Sequence, residues 1–335
     1  MTTLEQAYAT YREILCSLSV ESVPIDMAIT RVVSETVRAV CDVPQVSRYG
    51  MDSYSWLSAE VMPVSLSKPM ALKRGAALTR PGCRLTSDKL REIIDAGLAL
   101  VEVVRRPKIR VIAVGNVSQP QRDSVRWEQV RSSNGVMIAA MLQKWGYEPP
   151  AVTHVADGES LLENLLDDSM RKADLVIISS GTLNGAHDAL LTSAQGVGVK
   201  LIFRGIEHTP GSSISFGTKG SSALMVLPES SGGILVGMAL HVRYVLDCLE
   251  GQLPAGPVWS PGVLASGIEF PSDMVRFVLM RLYVNEAGMT RLFPAPDNPD
   301  SDIDPLALRD VIAWIPSDEK PMPSGSILYW TDLIQ

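Results

Sequence analysis

The sequence predicts an α/β protein built on a doubly wound, largely parallel sheet, with an N-terminal mixed helix and loop domain and a small C-terminal β domain. Three observations carry this. Between Lys108 and Leu249, β-branched runs alternate with amphipathic segments of helical length. Prolines and glycines break residues 40–82, and after Gly251 short apolar runs stand between clustered prolines. The composition, 46% hydrophobic and 20% charged over 335 residues, suits an ordered chain of two or three domains and excludes wholesale disorder.

The elements follow in order. Leu4, Tyr8, Tyr11, Ile14, Leu15 and Leu18 recur at helical spacing, predicting a helix over 4–18 whose apolar stripe needs a partner. A shorter helical pattern runs from Pro24 to Val37, with Pro24 suited to a first turn. Pro44, Pro63, Pro69 and Pro81, with Gly50, Gly75 and Gly82, predict loops and short strands. Residues 88–97 predict a helix with Asp88 near its start and Gly97 as its stop. Strands are expected at 108–114, 151–156, 173–179, 199–203, 213–217 and 223–227. Helices are expected at 133–145, 159–172, 188–195 and 232–249, the last a core helix rather than a membrane span. Further strands are expected at 274–284, in VIAWIP and in SILYW. The expected domains are 1–105, 106–250 and 251–335.

Composition narrows the function classes. With 30 Lys+Arg against 37 Asp+Glu the net charge is −7, which argues against a mainly electrostatic nucleic-acid binder. No apolar run reaches the ~18 residues of a membrane span, and the N-terminus lacks the basic start of a signal peptide. A cytoplasmic protein with no nucleic-acid or membrane partner is expected. Cys16, Cys41, Cys83 and Cys248 are scattered singly, which reads as reduced thiols rather than a disulfide or zinc framework.

In an open parallel sheet, ligands bind beyond the carboxyl ends of the strands. Four segments occupy that position: Gly115–Asn116, Ser179–Asp188, Pro210–Ser213 and Pro228–Gly233. All are rich in Gly, Ser, Thr or Asn, so their backbone can approach a phosphate, and an adjacent helix N-terminus favours negative charge. Each alone is an ordinary turn. Together they predict a pocket for a polar, phosphorylated small molecule.

These segments, in this order, resemble the molybdenum insertase family of MoeA and the gephyrin E domain. YGMDSYS (49–55) is similar to that family's "SAMDGYA" and keeps an acid at Asp52. RRPKIRVIAVGN (105–116) resembles "RRPRVAVLSTGD", and RSSNGVMIAAML (131–142) resembles "YDSNSYMLAALL". ISSGTLNGAHD (178–188) resembles "TSGGVSVGDYD", HTPGSSISFG (208–217) resembles "MKPGKPLLFG", and VLPESSGG (226–233) resembles "GLPGNPVS". The resemblance covers residues 1–55 and about 80–250, and fits the C-terminal tail more loosely. It implies an elongated homodimer, molybdopterin or molybdenum cofactor as ligand, Mg²⁺ at Asp188, and service to a molybdoenzyme. It also implies catalytic roles for Asp52 and Asp188. Ligand contacts would come from Gly115, Asn116, Ser133, Asn134, Ser179, Ser180, Gly181, Thr182, Gly185, His187, Pro210, Gly211, Ser212, Pro228, Ser230 and Ser231. Asp52 also reads as a turn cap and Asp188 as a helix N-cap.

The departures from the pattern are chemical. Only Trp56–Arg80 stand where the family carries a β-rich insertion lobe. Asn116 replaces one acid and Ala186 another, Thr209 and Ser212 replace two lysines, and Glu229, Ser230 and Ser231 replace Gly-Asn-Pro. A neutral amide or methyl cannot match a carboxylate as a Mg²⁺ ligand. Each lost ammonium-to-oxyanion bond removes about 1.5–3 kcal/mol. Three functions are therefore weighed: a divergent molybdopterin molybdenumtransferase, a non-catalytic molybdopterin or cofactor carrier or scaffold, and an enzyme acting on another nucleotide or pterin-like phosphate.

Overall fold

The computed structural model describes residues 1–43, 72–114, 133–155, 161–179, 186–268, 273–294, 310–317 and 321–333. The chain divides into two compact units: the larger holds Met1–Cys16, Pro107–Cys248 and Ala255–Gln335, the smaller Ser17–Arg106 and Leu249–Pro254. The first helix, α1 (Leu4–Ile14), belongs to the larger unit rather than to the first hundred residues, because its stripe of Leu4, Ala7 and Tyr11 is buried there. Thr3 and Gln6 close its N-terminus as a reciprocal capping box, with bonds of 3.2 and 2.9 Å. It ends at Ile14 rather than Leu18, since Leu15 turns to extended backbone.

The smaller unit contains β1 (Val20–Pro24), β2 (Val37–Arg38), β3 (Ala77–Thr79), α2 (Ser87–Asp95) and β4 (Leu100–Val104). β1 pairs antiparallel with β4, and β2 with β3. The helix expected over 24–37 is absent; only a 3₁₀ turn at Ile25–Met27 forms. Val32 and Val33 instead bridge to Arg84 and Val103, and Ala28, Val33 and Val37 pack with Ile93, Val101 and Val103. Stiff β-branched side chains fit this extended packing better than a helix. Arg84 fastens residues 249–254 here, donating to buried Glu250 at 2.6 Å and to the Thr30 carbonyl at 2.7 Å.

The larger unit carries β5 (Ile109–Val114), α3 (Asn134–Lys144), β6 (Val152–Val155), α4 (Leu161–Lys172), β7 (Leu175–Ser179) and α5 (Ala186–Gly196). Then come β8 (Lys200–Arg204), β9 (His208–Thr209), β10 (Ser215–Lys219) and β11 (Ser222–Leu227). Six strands form the predicted sheet in the order β6-β5-β7-β11-β10-β8, with β10 alone reversed. β10 starts at Ser215 rather than 213 because the Ile214 amide closes a turn onto the Gly211 carbonyl at 3.0 Å. One sheet face, with Ile112, Val176, Ile178, Leu224 and Val226, buries against Leu166, Met170, Leu190 and Leu191 of α4 and α5. By strand alternation, Leu175, Ile177 and Met225 serve the other face.

A continuous helix spans Ser231–Leu249, made of α6 (Ser231–Val236), a π turn (Gly237–Val242) and α7 (Arg243–Leu249). It is long and apolar enough to cross a bilayer, but 78% of its apolar window is buried in the fold, as expected of a core helix. Helix α1 docks on its π turn. The Tyr8 hydroxyl donates to the Leu240 carbonyl at 3.1 Å, its ring stacks on Tyr244 at 3.9 Å, and the Tyr11 hydroxyl meets His241 Nδ1 at 3.0 Å.

The C-terminal strands are β12 (Ser260–Leu264), β13 (Val275–Val284), β14 (Thr290–Pro294), β15 (Val311–Ile315) and β16 (Ile327–Asp332). Their pairings run β14-β12-β16-β15-β13 and return from β13 to β14, closing a five-stranded barrel. Leu264, Met280, Leu292, Val311, Ala313 and Leu328 fill it. β9 joins its outside, with His208 opposite Val275. No disulfide joins the four cysteines.

His208 is 1% exposed, and burial lowers its pKa from 6.5 to about 4; burial and the neighbouring His208 also hold His241 well below the ordinary range. The unfolded chain therefore takes up these protons first as pH falls, so stability is complete above about pH 6.5 and declines toward pH 4. For His208 alone the decline amounts to about 3 kcal/mol. Urea midpoints measured from pH 7 to pH 4 should fall accordingly, and the slope should shrink in His208→Asn.

Candidate functional site

The strand order of the sheet reverses beside β5, with β6 on one side and β7 on the other, which makes the carboxyl ends of β5 and β7 the switch point of the fold. Ala113, Ser179 and Leu227 lie in one row across β5, β7 and β11. The carboxyl ends of these three strands therefore stand side by side at one edge of the sheet. Gly115, Asn116, Ser180, Gly181, Thr182 and Gly185 lie outside the described residues, as does Asp52. The described part of the rim is formed by Ser133, Asn134, Ser179, His187, Asp188, Pro210–Ser212 and Pro228–Ser231.

Two helix N-termini meet at this rim. Asn134, the first residue of α3, donates from Nδ2 to the Glu229 carbonyl at 2.8 Å, tying α3 to the turn before α6. Ser133 sits at the cap position of α3 without capping it, so its exposed hydroxyl is not used by the helix. Ser230 caps α6, accepting from the Gly233 amide at 3.2 Å, while Ser231 is the first helical residue. Gly233 has no room for a side chain, since a Cβ would come within 2.6 Å of Pro228 and of the Ser230 hydroxyl. Glu229 has one carboxylate oxygen, Oε2, buried without a partner among the described residues.

The Pro210–Ser213 loop reaches the same place, with Pro210 in contact range of Gly232, 3.8 Å from where a Cβ would stand. Gly211 takes φ +108°, a left-handed conformation that favours glycine. His187, in the first turn of α5, lies 3.3 Å from the Ser215 hydroxyl, which itself donates to the Ser213 carbonyl at 3.2 Å. Burial lowers the His187 pKa, which favours the neutral ring. Asp188 is not the N-cap of α5 but lies inside its first turn, and it pairs with Arg204 at the end of β8.

Among the described residues the rim thus presents amide and hydroxyl donors rather than ammonium groups. The described donors do not fit a magnesium ion. Asp188 is engaged by Arg204, and no three His, Cys, Asp or Glu side chains among the described residues converge on one point. Sequence reasoning missed Arg204 and Ser215, whose partners lie 16 and 28 residues away and carry no motif.

Residues 111–247, the sheet and the long helix just described, match the family described as "Probable molybdopterin binding domain". Over 257 residues the chain is 22% identical to a molybdopterin molybdenumtransferase of Staphylococcus epidermidis, a match covering 77% of this chain and 61% of that protein. A Staphylococcus aureus molybdopterin molybdenumtransferase is likewise 22% identical over 253 residues, covering 76% of this chain and 60% of that one. The crystal structure of a Pyrococcus horikoshii molybdopterin biosynthesis MoeA protein superposes with a TM-score of 0.74 at 16% identity, covering 99% of both chains.

The chain is similar to MoeA proteins in fold, and its residues 111–247 match the molybdopterin binding domain family. It spans about three-fifths of the length of the curated relatives it matches. A Pyrococcus furiosus molybdenum cofactor biosynthesis protein shares the fold at a TM-score of 0.67 and 21% identity, covering 99% of both chains.

Asn134→Ala removes the bond between α3 and the turn before α6, and Ser230→Ala removes the α6 cap. Each should cost about 1 kcal/mol of stability. Because both act on the Pro228–Ser231 turn, the double variant should lose less than the sum, which a cycle of urea unfolding measurements will read.

Proposed function

We propose that this MoeA-like protein binds a molybdopterin-type ligand, adenylylated or as finished cofactor, in molybdenum cofactor biosynthesis. The observation that carries the reading is the single row of β5, β7 and β11 ends, faced by the N-termini of α3 and α6 joined through Asn134 and Glu229. That arrangement aims unsatisfied helix amides at one place, where a phosphate is stabilised. Ser133, Asn134, Ser179, Pro210, Gly211, Ser212, Pro228, Ser230 and Ser231 are the proposed contacts among the described residues, with His187 at the edge. Gly115, Asn116, Ser180, Gly181, Thr182, Gly185 and Asp52 complete the set by resemblance.

A binding and delivery role is favoured over Mg²⁺-dependent insertion by one observation: Asp188, the retained acid, belongs to no cluster of three or more His, Cys, Asp or Glu side chains among the described residues. A homodimer in the cytoplasm, handing its ligand to a molybdoenzyme, belongs to the same proposal. Calorimetry with AMP and with molybdopterin tests the binding. Incubation with adenylylated molybdopterin, molybdate and Mg²⁺ tests insertion through AMP release. Binding without AMP release supports a carrier, AMP release supports a transferase, and no binding of either ligand overturns the reading.

The missing lysines make a quantitative prediction. Ser212 is exposed on the Pro210–Ser213 loop, so Ser212→Lys returns an ammonium group to the rim without disturbing the core. AMP affinity should rise roughly tenfold at low ionic strength, and the gain should shrink with added salt, as calorimetry over a salt series will show.

A further inference from the structure

The larger unit buries three side chains with polar ends that the rim does not use directly. Tyr11 and His241 are 0% exposed and His208 is 1% exposed, and they form one chain of hydrogen bonds. The Tyr11 hydroxyl lies 3.0 Å from His241 Nδ1, His241 Nε2 lies 2.9 Å from His208 Nε2, and His208 Nδ1 lies 3.0 Å from the Pro210 carbonyl.

Donor and acceptor roles follow from the far end. A carbonyl only accepts, so His208 must carry its proton on Nδ1. Neutral His208 then has only a lone pair on Nε2, so His241 must donate from Nε2. His241 Nδ1 is left as an acceptor, and the Tyr11 hydroxyl fills it. Every polar atom of the chain is satisfied in this one arrangement, which runs Tyr11 to His241 to His208 to Pro210. Reversing any tautomer sets two lone pairs or two N–H groups against each other in a buried place.

We propose that this chain makes His208 a positioning residue for the ligand rim, with Tyr11 on α1 and His241 on the π turn fixing the tautomer that holds the Pro210–Ser213 loop. Pro210, Gly211 and Ser212 then meet the ligand in a geometry set from the far side of the core. His208 is well braced for this task, since β9 is paired to β13 and its ring packs edge-on against Phe277 at 5.0 Å. The proposal rests on the ligand reading above only for its effect on binding.

The test separates the two. In the wild-type protein at pH 7, nitrogen-15 spectra of the histidine rings should show His208 as the Nδ1–H tautomer and His241 as Nε2–H. Tyr11→Phe keeps the ring and removes the hydroxyl. It should speed exchange of the Ile214 amide, which closes the loop onto Gly211, and weaken AMP binding about fivefold or more, with helix content unchanged. His208→Leu should do the same, whereas His208→Asn, which keeps a donor near the Nδ1 position, should recover part of both. An Nε2–H tautomer for His208 overturns the proposal. So do unchanged Ile214 exchange in Tyr11→Phe and His208→Leu, and equal affinity in both where the wild type binds AMP. Should the wild type bind no AMP, the ligand reading is at fault, and tautomer and exchange alone decide this one.

Discussion

The larger unit depends on one constraint: the long helix Ser231–Leu249 is buried along its length yet carries polar groups that must be paired. An unpaired polar group in such a place costs 1–3 kcal/mol or more. Each requirement is met by a different part of the chain. Tyr8 supplies a donor to the Leu240 carbonyl, Tyr11 and His208 satisfy His241, and Arg243 and the Gly256 amide satisfy Asp247 at 2.8 and 2.9 Å. The N-terminal helix, the loop after β9 and the approach to the barrel are thereby fastened to one element. Leu240 and His241, the two hydrogen-bonded points at which α1 fastens, both lie in the π turn.

The alternating plan of the sheet is legible because each strand is a β-branched run and each helix carries its own apolar period. The row of Ala113, Ser179 and Leu227 follows from that plan, so the alignment of the strand ends at the proposed site was legible too. The failures have physical causes. Residues 24–37 carry apolar side chains at spacings that a helix would also use, but stiff valines and the bridges to Arg84 and Val103 hold the backbone extended. Barrel closure depends on β13 pairing with both β14 and β15, a relation between segments that local pattern does not encode. Likewise, nothing near Asn134 marks the Glu229 carbonyl 95 residues later as its partner, and 230 residues separate Tyr11 from His241.

Within the site, charge and hydrogen bonding have changed places. The family pattern carries lysines at positions 209 and 212, where Thr209 and Ser212 now stand, and methionine at position 208. His208 occupies that apolar position and bonds the loop from behind. A neutral donor held at 3.0 Å cannot replace the Coulombic attraction of an ammonium group, but it can fix where the loop lies. The departures therefore remove positive charge from the loop while the hydrogen bond from His208 keeps its place, which on the proposed reading weakens the attraction for an anion more than it alters the loop. Shape without strong attraction suits a ligand that must later be handed on.

The Asp188–Arg204 pair shows which of the losses matters most. Its side chains are 67% and 55% exposed, and an ion pair so open to water is worth only about 0–1 kcal/mol. A divalent cation with several good oxygen ligands would outcompete it. The guanidinium is therefore not what disqualifies the described residues as a magnesium site; the shortage of further oxygen donors is. Asn116 and Ala186 stand where the family pattern has acids, so restoring Asp188 alone by removing Arg204 would leave the cation one protein carboxylate there and an otherwise solvated shell. A magnesium site at Asp188 would gain oxygen ligands from those two acids, whereas a phosphate held on helix amides needs neither.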